Sequence, residues 1–221
     1  MSSVVLKHLK KCLADIKEIF LRFRKAGLIL GQKKCHFDDE SCVFFGNEIS
    51  KHRIRPPKDR VEAIVDFPES RNIKQLRPII RLFNWLKKFF PNFSALISPL
   101  TKLLKKDQKF AWKIEQSTAF QNLKFHFVNS DALSFPRFDL PFTLSVDTSS
   151  QGIGYMLYQT DPTKEKPNII RFGSKSLSHW QQSYGPTQLD ILGMVTSILD
   201  CADYLRGTQF IIYETIERRY L

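Results

Sequence analysis

The 221-residue chain has no apolar run long enough to span a bilayer, which takes about 20 residues. It has no leader pattern either. In "MSSVVLKHLKKCLADIKEIF" the lysines are scattered among apolar residues, whereas a secretory signal separates a basic stretch from an apolar one. Cysteine is scarce: Cys12, Cys35, Cys42 and Cys201 form no C-x-x-C pair. That argues against a disulfide frame or a zinc site, and for reduced thiols in an intracellular setting, cytoplasmic or nuclear. No internal repeat and no low-complexity linker is present.

What the chain does have is charge of one sign. Its formal net charge is +12 with a pI near 9.6, while 43% of its residues are hydrophobic, enough for a core. A balance that basic points to a polyanion, nucleic acid before membrane. The charge is unevenly placed. Residues 1–120 hold 25 Lys/Arg against 12 Asp/Glu, and residues 121–221 hold 9 against 10. The first half is therefore the polyanion-facing part.

The hydrophobic pattern divides the chain in the same way. Residues 4–26 carry Val5, Leu9, Leu13, Ile16, Phe20 and Phe23 at helical spacing, and Gly27 is a good stop. "CHF" and "SCVFFGNEIS", split by "DDE", read as a hairpin. "RPPKDRVEAIVDF" reads as a short helix after two prolines. "NIKQLRPIIRLFNWLKKFFPNF" reads as a helix interrupted near Pro78 and stopped at Pro91. "SALISPLTKLLKK" is another helical piece, and "STAFQNLKFHFVNSDAL" is amphipathic with Ser117 as its cap. From Pro141 the period becomes two. Strands are expected over 141–147, 153–159 and 168–174, then a long helix over 187–205 and a fourth strand in "TQFIIYE". The expected fold is α/β (α+β): a mainly helical region with a hairpin over 1–135, then an incomplete mixed sheet with one long helix over 136–221.

Several stretches match one family in order and spacing. They are "KAGLILGQKKCHF", "VFFGNEISKHRIRPPKDRVEAIVDFPES", "FFPNFSALISPLTKLLKK", "FAWKIEQSTAFQNLK", "PFTLSVDTSSQGIGYMLYQ", "FGSKSLS", "SYGPTQLDILGMV" and "YLRGTQF". Together they closely resemble the Pol polyprotein of gypsy-type LTR retrotransposons. The stretch resembles the end of the reverse transcriptase palm, the thumb or connection, and the first part of the RNase H domain. The resemblance implies an RNA-directed DNA polymerase followed by a nuclease that cuts RNA–DNA hybrids. The family's Tyr-x-Asp-Asp turn, which holds catalytic magnesium, is not in this sequence. "FDDE" at 37–40 falls after its place and reads as a polar turn. The expected product is a truncated, diverged Pol fragment that does not polymerise by itself.

The resemblance makes "VFFGNEIS" the hairpin that steadies a primer end, with Phe44 and Phe45 offering a packed or stacking surface and Gly46 a close approach. A plain hairpin with a buried phenylalanine is the competing reading. Lys87, Lys88, Lys102, Lys105 and Lys106 are candidates for neutralising phosphates of a duplex or hybrid without reading sequence. Solvated helix faces are the alternative. This region departs from the family at Arg81, where glycine is usual, at Pro78, and at Trp85-Leu86, which replace a tyrosine pair.

The nuclease chemistry implied is magnesium chemistry, with two ions about 4 Å apart held by carboxylates. Asp147 matches the family's first catalytic and metal-ligating aspartate. The competing role is a strand-end residue bonding its own turn. Asp190 stands where the family has glutamate, about 1.5 Å short of its reach, while catalytic shells tolerate about 0.5 Å. Thr187 and Asp190 are also spaced as a capping box. In strand four the register gives Glu214, Thr215 and Ile216 where the family has Thr-Asp-His, so the third ligand is missing unless Glu214 or Glu217 improvises. Three functions follow: nucleic-acid binding with a degraded nuclease site, an active magnesium-dependent RNase H, or a non-enzymatic interaction protein.

Overall fold

The computed structural model describes residues 3–31, 39–105, 108–130, 132–163 and 166–214. Residues 1–40 and 41–221 form separate compact units. The first holds α1 (Ser3–Lys25), which ends two residues before Gly27, as its periodicity predicts. "CHF", Lys106, Glu217 and the Thr215–Ile216 pair lie outside the described residues.

The second unit opens with a hairpin inside "SCVFFGNEIS" itself. β1 (Ser41–Phe44) pairs antiparallel with β2 (Asn47–Ser50). The two turn residues both have positive φ, Phe45 at 45° and Gly46 at 73°, the geometry that matches strand twist in a tight hairpin. β3 (Arg53–Arg55) and β4 (Leu133–Ser134) complete a four-stranded sheet, order β1-β2-β3-β4. Neither short strand carries enough alternation to stand out in the sequence.

Four helices follow β3 and precede β4: α2 (Lys58–Val65), α3 (Ile73–Leu86), α4 (Phe93–Lys102) and α5 (Ile114–Val128). Pro78 does not interrupt α3, contrary to expectation. A proline inside a helix costs about 3 kcal/mol. Here it sits on the exposed face, while Leu76, Ile79, Ile80, Phe83 and Leu86 are buried on the other and offset that cost. The cap of α5 also differs. The helix starts at Ile114, and Gln116 Oε1 accepts from the Lys113 N–H at 3.1 Å. Ser117 lies inside the first turn and takes the Trp112 indole N–H at 2.9 Å. The helices close over one core, in which Phe83 stacks on Phe127 at 5.1 Å between ring centres.

The second sheet has order β7-β6-β5-β8. β5 (Phe142–Thr148), β6 (Gly152–Gln159) and β7 (Asn168–Ser176) form an antiparallel meander, and β8 (Phe210–Glu214) joins β5 in parallel. The parallel pair needs a crossover. It is made by α6 (Pro186–Asp200) and α7 (Ala202–Leu205), which break at Cys201 instead of forming one helix. Leu189, Gly193 and Ser197 form the buried stripe of α6. Gly193 lets the helix approach closely: a Cβ there would lie 2.1 Å from Thr148 Oγ1 and 3.2 Å from Val146 Cγ1. Phe142, Leu144 and Val146 thus make the core beneath α6.

The two cores meet along β7. Ile169 and Phe172 pack against the helical core. Ser174 Oγ receives the Ser94 backbone N–H at 2.9 Å and lies 3.0 Å from the Ser94 hydroxyl.

Candidate nucleic-acid interface and acidic edge

Alternation along β5 sends Val146 and Thr148 toward α6 and Asp147 to the other face. Asp147 is exposed there and pairs in register with Gly154 of β6. It lines a cleft of about 580 Å³ between α4 and the ends of β5, β6 and β7, together with Asn92, Ser98, Lys102, Lys105 and Ser176. The structure therefore brings three of the sequence-predicted residues, Asp147, Lys102 and Lys105, to one wall-to-wall opening. Lys102 is 3.8 Å from Glu115, an exposed pair that leaves it available to solvent.

Asp190 faces a different partner. α6 starts after Gly185, whose N–H donates to Gln188 Oε1 at 3.0 Å. The capping role foreseen for Thr187 and Asp190 thus falls to Gly185 and Gln188. Asp190 is left to meet Glu214, at the end of β8. Burial, then a hydrogen bond and charge repulsion from Asp190, push the Glu214 carboxyl above its usual range. Glu214 Oε1 and Thr148 Oγ1 are both buried without a hydrogen-bond partner.

Asp147, Asp190 and Glu214 all lie near the carboxyl ends of the parallel pair β5–β8, the edge where α/β sheets hold ligands. They reach it from two faces. Among the described residues no three His, Cys, Asp or Glu side chains stand together as a metal cluster. The donors do not fit the two-magnesium arrangement that the resemblance implies: two carboxyls face each other, and the third leaves the sheet on the far side.

The remaining sequence candidates separate. Lys87 is exposed at the end of α3. Lys88 is half-buried against β7, 5.2 Å from the Phe89 ring centre. Burial and, less strongly, the neighbouring Arg171 guanidinium lower its pKa. It is therefore not on an open helix face. Phe45 is 82% exposed, so a hairpin with that ring buried is ruled out. Gly46 lies beneath Trp85: a Cβ there would meet Trp85 Cζ2 at 2.6 Å. Phe45, Gly46, Trp85, Arg60 and Arg81 line a hollow of about 440 Å³. Arg60 escaped the sequence reading, and Arg81 entered it only as a departure from the family pattern. Pro78, Arg81, Leu82 and Trp85 follow a three-and-four spacing on α3, which was the available signal.

Residues 112–212 match the model of the RNase H-like domain found in reverse transcriptase. The chain is 29% identical over 194 residues to the transposon Tf2-3 and Tf2-4 polyproteins of Schizosaccharomyces pombe, covering 87% of this chain and 14% of each polyprotein. The chain thus spans a small part of these relatives. Its fold is similar to the foamy viral protease-reverse transcriptase solved with RNA/DNA hybrid, at a TM-score of 0.81 and 21% identity, covering 98% of this chain and 29% of that one. The same enzyme described as dRH, in complex with ds DNA, gives 0.81 and 21% over 98% of this chain and 37% of its own. The chain resembles the reverse transcriptase and RNase H-like region of a retrotransposon Pol polyprotein, and the RNase H-like likeness falls on residues 112–212.

Proposed function

We propose that this chain is a nucleic-acid-binding piece of a retrotransposon-derived reverse transcriptase, with a degraded nuclease site. Residues 1–135 serve as the palm-end and thumb-like part, and residues 136–221 as the partial nuclease part. The observation that carries this reading is the cleft of Lys102, Lys105 and Asp147, which joins the helical layer to the sheet. Lysines at such an opening neutralise phosphates without selecting a sequence. These 221 residues contain no Tyr-x-Asp-Asp turn, so alone they do not polymerise. An intracellular setting is part of the same reading.

A titration of the chain with duplex DNA and with RNA–DNA hybrid at rising salt tests it. Affinity should fall as salt rises, because each neutralised phosphate releases counterions. Binding that ignores salt, or no binding, sinks the proposal.

The competing reading, an active magnesium-dependent RNase H, needs Asp147 to join Asp190 and Glu214 across the sheet from which it points away. Hybrid cleavage that needs magnesium and disappears in Asp147→Asn would establish it. Absence of cleavage at high protein concentration would leave the binding function alone.

A further inference from the structure

A second basic cleft, of about 800 Å³, lies at the other end of β7. Lys51, His52, Arg53, Ser134, Arg137 and Lys166 line it, and among the described residues no carboxylate does. Arg137 is already engaged, with Asp139 at 2.6 Å and Asp161 at 3.3 Å. Lys51, Arg53 and Lys166 are exposed and take part in no ion pair among the described residues.

These cations do not belong to one run of sequence. Lys51 and Arg53 come from the β2–β3 turn, Arg137 from the β4–β5 connection, and Lys166 from the segment before β7. A lysine run on one helix is usually a solvated face. Convergence from three separate segments is different, because the fold must hold like charges together against their repulsion.

The supports are visible. The Ser50 hydroxyl donates to the Arg53 carbonyl at 3.2 Å, which tightens the turn. Arg53 pairs in register with Ser134. Gln159, 1% exposed, accepts from the Arg137 N–H at 2.9 Å and donates to the Arg137 and Leu140 carbonyls at 2.6 and 2.9 Å. The backbone that carries Arg53 and Arg137 is thus preorganised before any ligand arrives.

We infer that this cleft holds a second stretch of the nucleic-acid sugar–phosphate backbone, through Lys51, Arg53 and Lys166. The inference rests on the proposed binding function and adds a site to it. The cleft is open, and although Phe135, Pro167 and Ile169 share its lining, its cationic side chains grip phosphates without reading sequence. β7 has nine residues, which places its two ends roughly 26 Å apart. Sites so far apart act independently, so their effects on binding should add.

The test uses the whole chain and a short duplex DNA labelled for fluorescence anisotropy, titrated across salt. A triple variant, Lys51→Ala with Arg53→Ala and Lys166→Ala, should bind more weakly and with a shallower salt slope. With three contacts gone, the wild type should lose about 40-fold more affinity than the variant between roughly 50 and 200 mM salt. The charge-preserving set Lys51→Arg, Arg53→Lys and Lys166→Arg should retain the wild-type slope. Lys166→Ala alone, on an exposed segment, should lower the slope by about one. If the wild type binds and the triple variant keeps its slope, the inferred site is wrong and the binding function stands. If the wild type does not bind, both fall.

Discussion

The Asp190 carboxyl, near the start of α6, lies beside the Glu214 carboxyl at the end of β8 and helps to raise its pKa. Burial of Glu214, one of whose oxygens has no partner, disfavours its charged form, and two ionised carboxylates side by side repel. Its folded pKa is therefore raised above the unfolded value. The folded state holds its proton to higher pH than the unfolded chain does. That contribution to stability is fully present below the unfolded pKa and is lost as pH rises through the folded one. Glu214→Gln keeps the shape and removes the charge. Its melting temperature should exceed the wild type's at neutral pH, and the gap should close as pH falls toward the ordinary glutamate range. Melts across that range check this; a gap that does not depend on pH defeats it.

The hairpin turn predicts a two-part penalty at Gly46. Its φ of 73° disfavours a side chain, and a Cβ would strike Trp85. Gly46→Ala should cost about 1–2 kcal/mol for the left-handed backbone, plus the clash. In a Trp85→Ala background only the backbone part should remain. Urea unfolding of the four proteins gives the coupling between the sites, and zero coupling would show that the ring yields freely.

Gln159 is the buried amide that ties the β4–β5 connection to β6. Gln159→Leu strips the Arg137 N–H and the Leu140 carbonyl of their Gln159 partner and leaves the Arg137 carbonyl only the Leu140 N–H. The expected loss is about 3 kcal/mol, the cost of stranding such groups. A denaturant midpoint within error of the wild type would mean that water replaces the amide.

Thiol reactivity should sort by burial. Cys201 is 0% exposed, and desolvation pushes its thiol up to about 11. Cys12 and Cys42 are exposed. Under native conditions a thiol-specific reagent followed by peptide mass mapping should label Cys12 and Cys42 and spare Cys201, which should react only after unfolding. Labelling of Cys201 at the rate of the other two would show that α6 and α7 open readily.

Much of the fold was readable along the chain, for a local reason. Strict alternation in "FTLSVDT" specifies a strand and puts Leu144 and Val146 on one face and Asp147 on the other. The three-and-four spacing of residues 4–26 specifies α1. β3 and β4 were not readable, since three and two residues carry no period. Pro78 misled for the opposite reason: a strong local signal was overruled by five buried side chains on the far face of α3. Which carboxylates meet was also beyond local reading. The sequence puts Asp147 and Asp190 in one motif set. Only the packing of α6 through Gly193, and the parallel register that sets Glu214 opposite Val146, turn Asp190 toward Glu214 and Asp147 toward Lys102 and Lys105. Local periodicity decides which face of its own element a side chain takes. Which other element lies against that face is decided by long-range packing, and the acidic edge and both basic clefts are products of that choice.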